Sequence, residues 1–190
     1  MEMLLQLMNS IYPVSVALTN HLSAVLKEKE CIKKGFVLKA GQVCRNIYFI
    51  DKGLVRCYYT KGEKEICSWF MKEHDVIISV ESFFQQKAAF ENIQALEDCC
   101  LYYISFGDLQ YMYHNFPEMN FIGRALVEKY YTLSEQRIYS LRMTTVREGY
   151  QYLKDKNPEL ILRVPSKFLA SYIGTTEQSL SRIRGKQIIS

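Results

Sequence analysis

Hydrophobic positions change their period along this chain, and each change predicts a different kind of element. Near the start, Leu4, Leu7, Met8 and Ile11 recur at helical spacing, which predicts an amphipathic helix packed on a domain. The middle is broken into short apolar runs at 36–38, 47–50, 54–59 and 66–70, with Gly35, Gly41, Gly53 and Gly62 between them. Lys52-Gly53 and Lys61-Gly62 mark tight reversals between β-branched and aromatic runs. Further strands are predicted around 76–78, 93–95 and 101–104. Many short strands at close spacing imply an antiparallel sandwich or roll, whose interior is filled by side chains or holds one small ligand.

After Ser105 the period becomes helical. A short helix is predicted from Phe106 to near Phe116, and a long one from Pro117 to Met143, with proline in the first turn where a missing N–H is tolerated. Ile122, Leu126, Tyr130, Leu133 and Leu141 lie near one face of the long helix, and Arg137 interrupts them. A stripe on so long a helix asks for cover. Either the roll supplies it or a second copy does, and the second is preferred because closed twofold pairs are the commonest assembly.

The segment 164–190 predicts two more helices meeting at a glycine. Phe168, Leu169, Tyr172 and Ile173 form an apolar stripe, and Gly174 ends that helix where a left-handed residue is needed. Thr175 and Thr176 can cap the next helix, in which Leu180 and Ile183 face inward while Gln178, Ser181, Arg182 and Arg184 face outward. A buried stripe on both helices and a polar, basic face on the second suit a helix-turn-helix, with an ordinary helical hairpin as the alternative.

At these residues the chain resembles the Crp/Fnr family of bacterial transcription regulators. Ala170, Gly174, Thr176 and Arg182 stand much as that family places a small residue, a glycine, a serine or threonine, and an arginine. Residues 33–105 are similar to its cyclic-nucleotide-binding β-roll, and 116–143 to its dimer helix. The resemblance implies an α+β fold: an N-terminal double-stranded β-roll, a long dimerisation helix, and a C-terminal winged-helix-like helix-turn-helix with a truncated wing. It divides the chain into a sensor domain at 1–116, the dimerisation helix at 117–143, and a DNA-binding domain at 144–190.

Charge distribution supports this division. The net charge is +4, but residues 137–190 hold ten Lys or Arg against four Asp or Glu, a net +6, and the remainder is −2. A basic rear behind a neutral front fits a sensor joined to a DNA-binding end, although solvated helix faces produce such contrasts too. The six cysteines, Cys31, Cys44, Cys57, Cys67, Cys99 and Cys100, include no C-x-x-C pair, so neither zinc nor an iron–sulfur centre is expected. The clustered N-terminal cysteines of Fnr-like members are absent. Reduced, mostly buried thiols in a cytoplasm are expected, with no cofactor. The chain opens with Glu2 rather than a basic cluster, and no apolar run approaches the ~20 residues that span a bilayer. His21, His74 and His114 lack metal-ligand spacing, and no catalytic motif occurs, so no enzyme is expected.

The ligand site departs from the family pattern. Cyclic-nucleotide-binding members present a glycine and a glutamate, then about ten residues later an arginine and a serine, which hold the ribose hydroxyl and the cyclic phosphate. Laid without gaps from His74-Asp75 to Ser105, this sequence has Ile78 and Ser79 at the first pair and Ala89 and Phe90 at the second. Lys87 is the sole cation between Val76 and Leu101. Leaving a buried phosphate unpaired costs several kcal/mol, so cyclic AMP is not expected to bind. The candidate pocket, formed by Phe70, Ser79, Val80, Phe83, Ala89 and Phe90 with Ser134 from the long helix, suits an uncharged or apolar effector of unknown identity or a filled core. Phe84 and Ile93 belong to the same apolar set.

Two functional readings follow. The first is a dimeric, sequence-specific regulator of transcription that binds double-stranded DNA, with RNA polymerase as a further candidate partner. Gln178, Ser181 and Arg182 are competent base readers, and Ser166, Lys167, Thr175, Arg184 and Lys186 can hold phosphates. Thr176 caps the reading helix, and Glu177 stands near its start, where the family often has a base-reading arginine. The second reading is an effector-binding or protein-interaction module without DNA binding. It is raised by Glu177 and by a chain that ends five residues after Gly185.

Overall fold

The structure, a computed structural model, describes residues 1–187, with side chains through Gly185. Two helices come first, α1 (Glu2–Ile11) and α2 (Val16–Val25), the second capped by Ser15 Oγ, which accepts from the Leu18 N–H at 3.1 Å. Eight strands follow: β1 (Lys27–Cys31), β2 (Phe36–Leu38), β3 (Asn46–Lys52), β4 (Val55–Lys61), β5 (Lys64–Met71), β6 (Val76–Ile77), β7 (Glu91–Ala95) and β8 (Cys99–Ser105), with helix α3 (Val80–Gln85) inserted between β6 and β7. They form two four-stranded sheets, ordered β1-β8-β3-β6 and β2-β7-β4-β5.

Strand pairing follows the alternation of side chains. In the first sheet β3 and β8 run antiparallel with Tyr48 opposite Tyr103, and their rings lie 5.5 Å apart. Ile50, Leu54, Val55, Ile77, Phe83, Ile93, Ala95 and Leu101 are wholly buried and make the core of the roll. Gly53 turns β3 into β4 with φ +106°, and a Cβ there would lie 2.6 Å from Cys99 Sγ, so only glycine fits. β1, with its alternating charges, is not visible as an apolar run. It forms because β8 offers an antiparallel edge, with Cys31 opposite Cys99.

The helices then take over. Ser105 and Asp108 form a capping box at the start of α4 (Phe106–Asn115), and α5 spans Pro117–Met143. Four helices complete the chain: α6 (Val146–Lys156), α7 (Pro158–Arg163), α8 (Ser166–Ile173) and α9 (Glu177–Gln187). Thr145 and Glu148 form a second capping box at α6. The chain divides into two compact units. Among the described residues, one holds 1–58 and 70–129, and the other holds 130–187 together with the tip of the β4–β5 hairpin, 59–69.

Candidate nucleic-acid interface and sensor pocket

In the second unit, Tyr150, Leu153, Leu160, Val164, Leu169, Ala170 and Leu180 are buried and form one small core beneath α6 to α9. The turn between α8 and α9 is built as its sequence suggests. Gly174 adopts φ +85°, and the next N–H, that of Thr175, returns to Ala170 O at 2.9 Å. Thr176 Oγ1 then accepts from the Ser179 N–H at 3.2 Å and so caps α9.

Glu177, Gln178, Ser181 and Arg182 are exposed on α9, opposite wholly buried Leu180. Lys167 is exposed at the start of α8, with its ammonium 4.7 Å from the Phe168 ring centre. Thr175 is half-buried. Arg184 differs from the expectation that it faces outward. Its Nη1 donates to Ser166 Oγ at 2.8 Å, and its Nε donates to the Tyr150 hydroxyl at 3.2 Å. The phenol of Tyr150 and the start of α8 offer a partly desolvated guanidinium two acceptors, and both Ser166 and Arg184 are thereby committed to internal bonds. The Lys186 side chain lies outside the described residues.

A second cluster fixes α8 from behind. Ser171 Oγ accepts from the Cys67 N–H and donates to Glu65 O, both at 3.0 Å, so one hydroxyl completes the hydrogen bonding of two positions on the outer strand β5. Beside it the Arg137 guanidinium of α5 stacks on Tyr172, 3.6 Å from the ring centre, and donates from Nη2 to Tyr172 O. Burial lowers the affinity of Arg137 for its proton and raises that of the Tyr172 phenol. The arginine that interrupts the apolar stripe thus has a packing role, which the sequence signalled only as an interruption.

The roll interior holds Phe70, Phe83, Ala89 and Ile93, all buried, and it is filled rather than open at these residues. Val80, Phe84 and Phe90, expected in the same cluster, are exposed. Helix α3 causes this for Val80 and Phe84. With Ser79 as N-cap, its period turns Ser82 and Phe83 inward and Val80 and Phe84 outward. In β7, Glu91, Ile93 and Ala95 face the core, and the preceding Phe90 alternates to the outside. Ser134 is exposed on α5.

Two buried charges escaped the sequence reading. Arg56 on β4 stacks 4.1 Å from the Tyr58 ring centre and donates from Nε and Nη2 to Gln94 Oε1, at 3.0 and 2.6 Å. A lone cation within the apolar run 54–59 was its only trace. Burial pushes the Glu91 carboxyl above its usual range, and the Ser79 hydroxyl opposes that shift. The six cysteines are free thiols, and all but Cys100 are buried. Burial pushes Cys99 up to about 11, so it is an inert thiol. Among the described residues no cluster of His, Cys, Asp and Glu has the arrangement of a metal site, and no helix is long and apolar enough to cross a membrane.

Comparison with known proteins agrees with this architecture. The cyclic nucleotide-binding domain profile matches residues 29–116. No curated protein matches the chain in sequence. Among solved structures, FixK2 from Bradyrhizobium japonicum is similar with a TM-score of 0.74 and 16% identity, over 85% of this chain and 84% of that one. The c-di-GMP responsive global regulator CLP of Xanthomonas campestris gives a TM-score of 0.73 and 15% identity, over 92% of each chain. A transcriptional regulator from Eubacterium rectale assigned to the Crp/Fnr family gives 0.71 and 16%, over 92% of this chain and 84% of that one. Residues 29–116 therefore match the cyclic nucleotide-binding domain, and the chain shares the fold of these Crp/Fnr-type structures.

Proposed function

We propose that this protein is a dimeric, sequence-specific DNA-binding regulator of transcription, acting in the cytoplasm without enzymatic activity, whose sensor roll does not answer to cyclic AMP. The observation that carries the reading is the outer face of α9. Gln178, Ser181 and Arg182 are three and four residues apart and exposed together, while Leu180 anchors the helix below. Arg182 matches the O6 and N7 of guanine, and Gln178 the N6 and N7 of adenine. Lys167 and Thr175 take phosphates, and Glu177 selects cytosine. The sensor spans 1–116, the dimer helix 117–143 and the DNA-binding domain 144–190.

The dimer rests on α5. Val127, Tyr131, Ile138 and Leu141 remain 54%, 67%, 47% and 50% exposed. With Ser134 among them they are spaced four, three, four and three residues apart, the seam of a coiled coil. This is not the stripe read from the sequence, whose Ile122 is covered by its own unit. A twofold pair of such helices suits a twofold DNA site.

Ala89 and Phe90 supply no charge for a cyclic phosphate, and Phe90 does not point into the roll. Calorimetric titration with cyclic AMP is expected to be silent, and micromolar binding would overturn the cassette placement. The test of the main reading is selection from a random duplex pool at low salt. Enrichment of a palindrome with half-sites about one helical turn apart is expected. An unenriched pool would transfer the assignment to a protein-interaction or effector-binding module.

A further inference from the structure

A groove of about 430 Å³ opens on the roll beside β2, β3 and the loop between them. None of its lining residues belongs to the cassette positions Ile78, Ser79, Ala89 and Phe90. Its chemistry is one-sided. Val37, Leu38 and Val43 supply an apolar wall, and the polar groups on offer are mainly donors. Arg45 is exposed and makes no ion pair or side-chain hydrogen bond among the described residues. Gln42 spends its oxygen on the Lys39 N–H at 3.1 Å, which leaves its amide N–H groups for a ligand. The Tyr48 hydroxyl accepts from Asn46 Nδ2 at 3.2 Å, so its own proton is turned elsewhere. The Lys29 ammonium stands beside the same wall, 5.7 Å from the Tyr48 ring centre and 3.5 Å from Val37 O.

No carboxylate lines the groove. Glu91 acts on the Cys44 thiol of the lining, and burial biases Glu91 toward its neutral form. A concave site with an apolar wall, one unpaired guanidinium, an ammonium beside it and no acidic group recognises negative charge attached to an apolar body. We infer that this groove binds a small organic anion, with a carboxylate or phosphate head held by Arg45 and Lys29 and an apolar body lying on Val37, Leu38 and Val43. The inference does not depend on DNA binding, because the ligand is read within the first unit alone.

Amide chemical shifts of the intact protein, followed during titration, provide the test. The probes are phenylacetate and phenyl phosphate, with neutral phenylacetamide as control. At least one anion is expected to give saturable shifts centred on residues 37–48, and phenylacetamide none at the same concentration. Whichever head group binds more tightly identifies the source. Arg45→Gln should weaken that binding about tenfold or more, the loss of one charge-assisted hydrogen bond, and Lys29→Gln should add to it. Arg45 is exposed and unpaired, so its variant should melt at the wild-type temperature and give a clear answer. The inference is overturned if neither anion gives saturable shifts up to about 10 mM, a limit near the weakest measurable affinity. It is equally overturned if phenylacetamide binds as well, or if Arg45→Gln leaves the affinity within about twofold.

Discussion

Replacing Ser171 with alanine removes one oxygen that serves two backbone groups. The Oγ accepts from the Cys67 N–H and donates to Glu65 O, each at 3.0 Å. Losing the neutral bond to Glu65 O costs about 0.5–1.5 kcal/mol, and leaving the buried Cys67 N–H unsatisfied costs about 1–3 kcal/mol. Cys67 is buried, so water does not readily replace the lost acceptor. The second unit should therefore lose about 2–4 kcal/mol in Ser171→Ala, whereas Ser171→Thr, which keeps the hydroxyl, should lose much less. Native-state hydrogen exchange reads this directly. Protection of the Cys67 amide should fall by about thirtyfold to several hundredfold, a local opening of α8 from the hairpin tip. Because α8 also carries the turn that sets α9, DNA affinity should fall with it. Wild-type protection at Cys67 together with an unchanged unfolding free energy would refute the reasoning, and would mean that the hydroxyl bonds are replaced without cost.

The remaining predictions use other parts of the molecule. Ile138→Glu should weaken the dimer by about a hundredfold or more, since it removes roughly 1 kcal/mol of apolar burial per copy and sets two carboxylates in the seam. Sedimentation at micromolar concentration should then report a monomer, and a persisting dimer would exclude this face of α5. Arg182→Ala should cost about 1–3 kcal/mol on the selected duplex and relax one base pair per half-site, while Lys167→Ala should weaken all sequences alike and lower the salt slope by about one. Competition binding with single-base variants of the selected site distinguishes the two. Glu91 binds its proton more tightly folded than unfolded, so its contribution is fully present below its ordinary value of 4.5 and is lost as pH rises through the raised folded value. Glu91→Gln should thus stabilise the protein at neutral pH and flatten that part of the urea-denaturation profile. A variant with the wild-type slope between pH 4 and 8 would show the carboxyl to be solvated.

Where a single local rule decides the structure, the sequence was sufficient. The strand Phe36–Leu38 and the helix Pro117–Met143 lie where apolar runs and a proline put them. The turn between α8 and α9 follows from Gly174, which only needs a left-handed backbone and a short polar cap after it. Elements held by tertiary pairing were not legible. β1 is a run of alternating charges that becomes a strand by pairing with β8, and α3 is a six-residue helix hidden in an aromatic segment that equally suits a strand. That one helix moved Val80 and Phe84 from the expected pocket to the surface, and the alternation of β7 did the same for Phe90. Arg184 turns inward for a related reason. A basic residue on a helix is read as outward-facing, and only the packed position of Tyr150 and Ser166 shows the acceptors that draw it back.

Helix α5 shows where periodicity stops being informative even for a long helix. Its sequence carries two stripes rather than one. Met119 and Ile122 are buried against the first unit, and Leu126, Tyr130, Leu133 and Arg137 continue that side half-buried. Val127, Tyr131, Ile138 and Leu141 repeat on another side and stay open. Leu141 is compatible by spacing with both stripes. Periodicity identifies apolar positions but cannot assign each stripe its cover, since an intramolecular and an intermolecular contact make the same demand on the sequence. Only after each unit has covered its own part of the helix does the remaining seam stand out, and its three-and-four spacing is what a second helix of the same kind requires. A helix serving one unit alone has no use for the second stripe. For this reason α5, rather than any surface of the roll, is where a second copy should dock.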